Sequence, residues 1–143
     1  MDVRIEVTAT QDMSSTERGR LLEQFARRLL ECQNYAVTTE VRITGQEVDL
    51  LAEEKSTGER IIVECKAYRS TISSDVIHKL FGQVMFKGFS SGWLITTYDL
   101  GKDAKGLRDE WGDKPPQERR KLQIYDPHRL IERLVKCQAD SDA

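Results

Sequence analysis

The chain has 143 residues, 38% hydrophobic and 32% charged, which suits one ordinary globular domain with one hydrophobic core. No apolar run approaches the roughly 18 residues that a membrane span needs, and Met1-Asp2-Val3-Arg4 lacks the basic-then-apolar layout of a signal peptide, so a cytosolic protein is expected. A net charge of −2 argues against tight nucleic-acid binding by this domain alone but leaves room for an acidic metal site.

Val3-Arg4-Ile5-Glu6-Val7 alternates apolar and polar residues, which suits a short strand or extended arm within residues 1–13. Ser14 and Glu17 have the spacing of a capping box. Behind them Leu22, Phe25, Ala26, Leu29 and Leu30 mark one helical face, which runs to about Cys32. Asn34-Tyr35 then turns the chain into strands, at Tyr35–Ile43 and Glu47–Ala52 around Thr44-Gly45-Gln46. The polar stretch from Glu53 to Glu59, with Gly58, reads as a hairpin loop.

Ile61 to Tyr68 is apolar on both faces at its start, as befits a strand in the middle of a sheet. Ser73-Ser74-Asp75 supplies an N-cap for a helix with Val76, Ile77, Leu80, Phe81 and Val84 inward, and Gly88 can end it. Trp93–Thr97 is a buried strand, and a short helix is predicted from about Asp103 to Trp111. Asp113-Lys114-Pro115-Pro116 breaks the chain before a last strand, Leu122–Tyr125. Asp126 as cap with Pro127 at the first helical position opens a final helix, expected to end near Cys137. The expectation is a single domain over residues 1–137 with a frayed tail at 138–143, folded as α/β with a mixed central sheet and helices on both faces.

The cysteines, Cys32, Cys65 and Cys137, are odd in number and widely spaced. Neither a disulfide framework nor a zinc site is expected from that pattern. They read as reduced core thiols.

The chemistry-bearing residues are Asp49, Glu64 and Lys66. Asp49 is a lone acid between apolar strand residues, and Glu64 and Lys66, two apart on the next strand, leave the same face. A hairpin through the Gly58 loop brings Asp49 beside Glu64. Two carboxylates suit Mg²⁺, which favours hard oxygen ligands and keeps positions for water and a phosphate oxygen. The metal activates water and neutralises charge on a pentacovalent phosphate, while the lysine orients or deprotonates the water or stabilises that charge. Glu-x-Lys alone also fits an exposed cross-strand ion pair. Asp49 within apolar strands is the feature that favours chemistry, since charge in such runs is costly unless used.

Gly45-Gln46-Glu47-Val48-Asp49-Leu50-Leu51, a hairpin, then Ile62-Val63-Glu64-Cys65-Lys66 resembles the PD-(D/E)xK nuclease core, and within it the Mrr-like restriction endonuclease catalytic domains. Gly19 to Tyr35 is similar to the family's first helix, Gly82 and Gly92-Trp93-Leu94-Ile95-Thr96-Thr97 to a later helix and strand, and Leu122 to Leu134 to the closing pair. The likeness spans roughly residues 15–135. It departs where the family often has Gly-Gly-x-Asp and this chain inserts Gln46-Glu47-Val48, and it keeps Glu64 where the family often has Gln.

The resemblance implies a restriction-endonuclease-like fold and a Mg²⁺-dependent endonuclease acting on double-stranded DNA, with Mn²⁺ able to substitute. Asp49, Glu64 and the Cys65 carbonyl would hold the metal, Lys66 would act as base or stabiliser, and Glu23 would approach from the first helix. Glu23 also reads as a solvated flank residue. Gln83, Lys79, Lys87 and Arg69 are candidates for DNA contact or plain surface side chains, and His78 reads as surface.

A restriction or antiviral-defence nuclease is the expected role, either alone or as the effector domain of a larger protein with a sensing or targeting part. A homodimer or higher oligomer fits double-strand cleavage, and no membrane partner is expected. The rivals are a Holliday-junction resolvase, disfavoured by the low basic charge, and a catalytically silent binding module, disfavoured by the intact Asp49, Glu64 and Lys66.

Overall fold

A computed structural model describes residues 15–43, 46–67 and 70–142, with side chains at 17–38, 50–67 and 70–139. The element order is α1 (Ser15–Cys32), β1 (Tyr35–Ile43), β2 (Gln46–Glu54), β3 (Arg60–Lys66), α2 (Ser74–Lys87), β4 (Ser91–Thr96), α3 (Lys102–Gly112), α4 (Pro116–Arg119), β5 (Leu122–Tyr125) and α5 (Pro127–Asp142). The expected arm at Val3–Val7, the capping serine Ser14, the Thr44-Gly45 turn and the DNA-contact candidate Arg69 lie outside the described residues.

The five strands lie side by side in sequence order. β1, β2 and β3 form an antiparallel meander, whereas β4 and β5 add in parallel to β3. Hairpin loops suffice for the first half, and each parallel step needs a helical crossover. α2 supplies the first crossover, and α3 with α4 the second. This is the mixed sheet expected from the sequence, with β3 at its centre.

Two cores sandwich that sheet. Leu22, Ala26, Leu29 and Leu30 of α1 pack with Leu130 of α5 on Leu50, Ala52, Ile61, Val63, Trp93, Ile95 and Tyr125. Ile77, Leu80 and Val84 of α2 and Ala104 of α3 pack on Ile62, Leu94, Leu122 and Ile124 across the other face. Every residue of β4 is buried, because helices cover it from both sides.

α2 approaches β4 at Gly92, where a β-carbon would lie 2.6 Å from Val84 Cγ2 and 3.0 Å from Leu80 Cγ. Any side chain there would push the helix outward. Gly88 ends α2 in the left-handed conformation, φ 74°, as expected of a C′ glycine. Ser73 occupies the N-cap position with extended backbone but makes no side-chain cap bond. At α5 the expected cap forms, with Asp126 Oδ1 accepting from the Arg129 N–H at 2.9 Å.

The structure departs from expectation in three places. α4 is a short helix that starts at Pro116, the last residue of the predicted breaker, since proline is well placed at a first helical position. α5 continues past Cys137 to Asp142, so residues 138–142 are helical, not frayed; none of them is a glycine or proline. Most consequentially, Cys32 and Cys137 form a disulfide across a sequence separation of 105, which corrects the reading of all three thiols as reduced. α1 and α5 pack side by side on one face of the sheet, bringing the two Cα atoms to 6.1 Å. That distance suits a disulfide, and nothing in the spacing of the cysteines along the chain reveals it. Cys65 keeps its thiol, outside the disulfide. Among the described residues, no helix is long and apolar enough to cross a membrane.

Candidate active site

β3 carries the chemistry because its strand pattern changes character halfway along. Ile61, Ile62 and Val63 are buried, whereas Glu64, Cys65 and Lys66 are only partly so. Side chains alternate along a strand, so Glu64 and Lys66 continue the face of Ile62 while Cys65 continues that of Val63. Cys65 accordingly packs against the α1 core.

On the opposite face Lys66 Nζ stands 3.1 Å from Glu64 Oε1, with 26% and 19% of the two side chains exposed. An ion pair still partly in contact with solvent contributes on the order of 1 kcal/mol. Stability alone is therefore a weak reason for placing two charges at the end of a central strand.

The registers define where this pair sits. β2 pairs with β3 from Glu53↔Arg60 to Leu50↔Val63, and β4 pairs with β3 on to Lys66↔Thr96. Asp49 and Glu64 are the residues next beyond the Leu50↔Val63 pair, one on each strand. Asp49 belongs to β2, but its side chain lies outside the described ones. Among the described residues, no group of three His, Cys, Asp or Glu side chains gathers in metal-binding geometry.

The remaining candidates divide between the two faces. Glu23 is partly buried on α1, the helix covering the Cys65 face, and so belongs to the other side of the sheet from Glu64 and Lys66. Gln83 and Lys79 stand on α2, the helix packed over the Glu64 side, with Gln83 partly buried and Lys79 exposed. His78 is exposed, as expected of a surface residue. Lys87 lies 5.8 Å from the Phe86 ring, on a side chain that is itself 86% exposed. Thr96 is buried and donates its hydroxyl proton to the Tyr98 carbonyl at 2.8 Å, the backbone-satisfying role that its position predicts. Sequence patterns give no sign of a group of arginines around β5, because these residues are distant along the chain and converge only when α3, α4 and α5 fold.

Comparison with known proteins adds family to this geometry. A family model described as "Restriction endonuclease" matches residues 15–134. Among solved structures, the chain is similar to a protein of unknown function, AF1548, with TM-score 0.60 and 22% identity over 83% of this chain and 67% of that one. It is similar to protein VC1899 from Vibrio cholerae, with TM-score 0.59 and 14% identity over 94% of this chain and 36% of that one. A third similar structure is an ATP-dependent Type ISP restriction-modification enzyme, LlaBIII, bound to DNA, with TM-score 0.55 and 20% identity over 80% of this chain. The chain spans only 8% of that enzyme. No protein of curated function matches the sequence significantly.

Proposed function

The chain belongs to the restriction endonuclease family, and from that premise we propose that it hydrolyses phosphodiester bonds of double-stranded DNA with Mg²⁺. The observation that carries the proposal is the Glu64–Lys66 pair on one face of β3, at the level where Asp49 of β2 adjoins Leu50. Continuing the antiparallel register by one residue beyond Leu50↔Val63 would bring Asp49 level with Glu64. The LlaBIII enzyme is DNA-bound, which supports DNA as the substrate class.

The donor set suits a hard divalent cation, since it comprises carboxylate oxygens and a carbonyl. Asp49 and Glu64 would hold Mg²⁺ or Mn²⁺ from adjacent strands, with the Cys65 carbonyl as a third oxygen. When bound, the ion lowers the pKa of its water and neutralises negative charge on the phosphate.

Lys66 supplies the movable positive charge. Its ammonium, already held at Glu64, can orient the attacking water or donate to a phosphate oxygen as charge grows there. The bond from water oxygen to phosphorus forms as the bond to the departing sugar oxygen breaks; the water releases a proton to solvent and the sugar oxygen takes one up, leaving a phosphate monoester and a sugar hydroxyl. Glu23 would act from the rim of the opposite face, and Gln83 and Lys79 would border the DNA from α2. A restriction or antiviral-defence role, within a larger protein that supplies targeting, fits a chain that spans small fractions of VC1899 and LlaBIII.

The decisive experiment incubates the purified chain with supercoiled plasmid in Mg²⁺, Mn²⁺ or EDTA. Nicked or linear product with either metal and none with EDTA is expected. Equal cutting in EDTA would overturn the metal role, and intact plasmid under every condition would overturn the nuclease reading in favour of a silent binding module.

A further inference from the structure

β5 is an edge strand, and its outer side is not left open. Arg129 Nη1 donates to the Ile124 carbonyl at 2.8 Å and Nη2 to Gln123 Oε1 at 2.9 Å, while its guanidinium lies 4.4 Å from the Tyr125 ring centroid. Such a plug blunts a sheet edge against pairing with another chain. Beside it opens a cavity of about 380 Å³ whose walls include Arg108, Arg119, Arg120, Arg129 and Trp111.

Four arginines thus line one concavity, and no acidic residue lines it among the described residues. The carboxylates that touch this group are Asp126, 3.1 Å from Arg108 Nη1, and Asp109, 3.5 Å from Arg108 Nε. Both engage Arg108. Arg119 and Arg120 form no ion pair among the described residues.

The Trp111 wall is tied down. The Trp111 indole N–H donates to the Arg119 carbonyl at 3.3 Å, which ties α4 to the end of α3, and the Trp111 ring packs edge-on against Phe81 of α2 at 5.1 Å.

We propose that this cavity binds a phosphate-bearing small molecule of nucleotide size, at a site separate from the Glu64–Lys66 face. Its volume falls in the range of about 300–1,000 Å³ typical of small-ligand pockets. Arginine forks match phosphate oxygens bidentately. Arg108 and Arg129 are held in place before the ligand arrives, which reduces the ordering cost of binding. Arg119 and Arg120 bring the uncompensated charge, and Trp111 offers an aromatic wall for a base. Ile124 of the cavity is level with Glu64 across β4, two strand spacings or about 10 Å away, so the two sites are neighbours without overlapping.

The test titrates inorganic pyrophosphate, ADP and a short DNA duplex into the whole chain without metal, by calorimetry and thermal shift. The double substitution Arg119→Glu/Arg120→Glu serves as the site variant, because both residues are exposed and their loss leaves the fold intact. Pyrophosphate and ADP should bind the parent chain and raise its Tm. The double variant should bind them about tenfold more weakly or worse, the scale of lost charge-assisted hydrogen bonds, with an unchanged unliganded Tm. Glu64→Ala should bind them as the parent does. Failure of both small anions to bind, or binding indifferent to the double variant, would overturn the proposal. Duplex binding that is lost in the double variant while the small anions never bind would assign the arginines to a DNA backbone instead.

Discussion

Lys66 Nζ and Glu64 Oε1 face each other at 3.1 Å on the last residues of β3, where a buried strand emerges toward solvent. The strand's buried first half fixes the height and direction of both charges, and its partly exposed second half leaves them reachable. Rigid placement on a central strand is what a hydrolytic centre needs, since small displacements of reacting groups are costly.

Gly92→Ala tests how closely the sheet is packed beneath that centre. The new methyl would meet Val84 and Leu80 within 3.0 Å, in a region with no slack. A loss of about 1–3 kcal/mol is expected from overpacking, read as a lower urea midpoint. An unchanged midpoint would show that α2 is free to shift.

Reduction tests the Cys32–Cys137 link. A disulfide spanning 105 residues restricts the unfolded chain strongly, and its loss should cost about 2–5 kcal/mol. Urea unfolding of the chain with and without reductant should separate accordingly, and Cys32→Ser should match the reduced protein. Coincident curves would contradict the link. Disulfides persist in oxidising compartments and are rare in reducing ones, so the state of this pair in cells also tests the cytosolic expectation.

Much of the fold, and the Glu64–Lys66 part of the candidate site, are legible in the residues alone. The periodicity of Leu22, Ala26, Leu29 and Leu30, and the apolar run Ile61-Ile62-Val63, encode burial directly, and burial decides helix faces and central strands. Glu64 and Lys66 are legible because strand alternation sets them on one face whatever surrounds them. Pairing between distant residues needs the third dimension. The Cys32–Cys137 contact and the convergence of Arg108, Arg119, Arg120 and Arg129 have no local signal. Glu23 illustrates the same limit, for helical periodicity places it on the edge of α1 but does not say which side of the sheet α1 will cover.

Glu23→Gln should therefore have a graded effect. From the opposite face, it should raise the Mg²⁺ concentration needed for half-maximal cleavage without abolishing activity. Superimposable Mg²⁺ titrations for parent and variant would remove Glu23 from the metal site.

On the proposed mechanism a single Asp49, Glu64 and Lys66 set would cut one strand per encounter, and a net charge of −2 contributes little counterion-release affinity for DNA. Dilute protein should nick supercoiled plasmid and linearise it slowly, with linear product rising steeply as concentration or a fused dimeriser brings two sets together with twofold symmetry. Efficient double-strand cutting at one defined sequence by dilute monomer would contradict this.

The most direct measurement of the central claim compares plasmid cleavage in Mg²⁺ by the parent chain and by Asp49→Ala, Glu64→Ala and Lys66→Ala, with folding of each followed by circular dichroism. The Glu64–Lys66 pair is partly exposed, so those two variants should stay folded, and a change of about 1 kcal/mol is the scale expected from the ion pair itself. All three variants, folded, should lose cleavage almost completely. A folded variant at any of the three positions that cuts as fast as the parent would contradict the assignment.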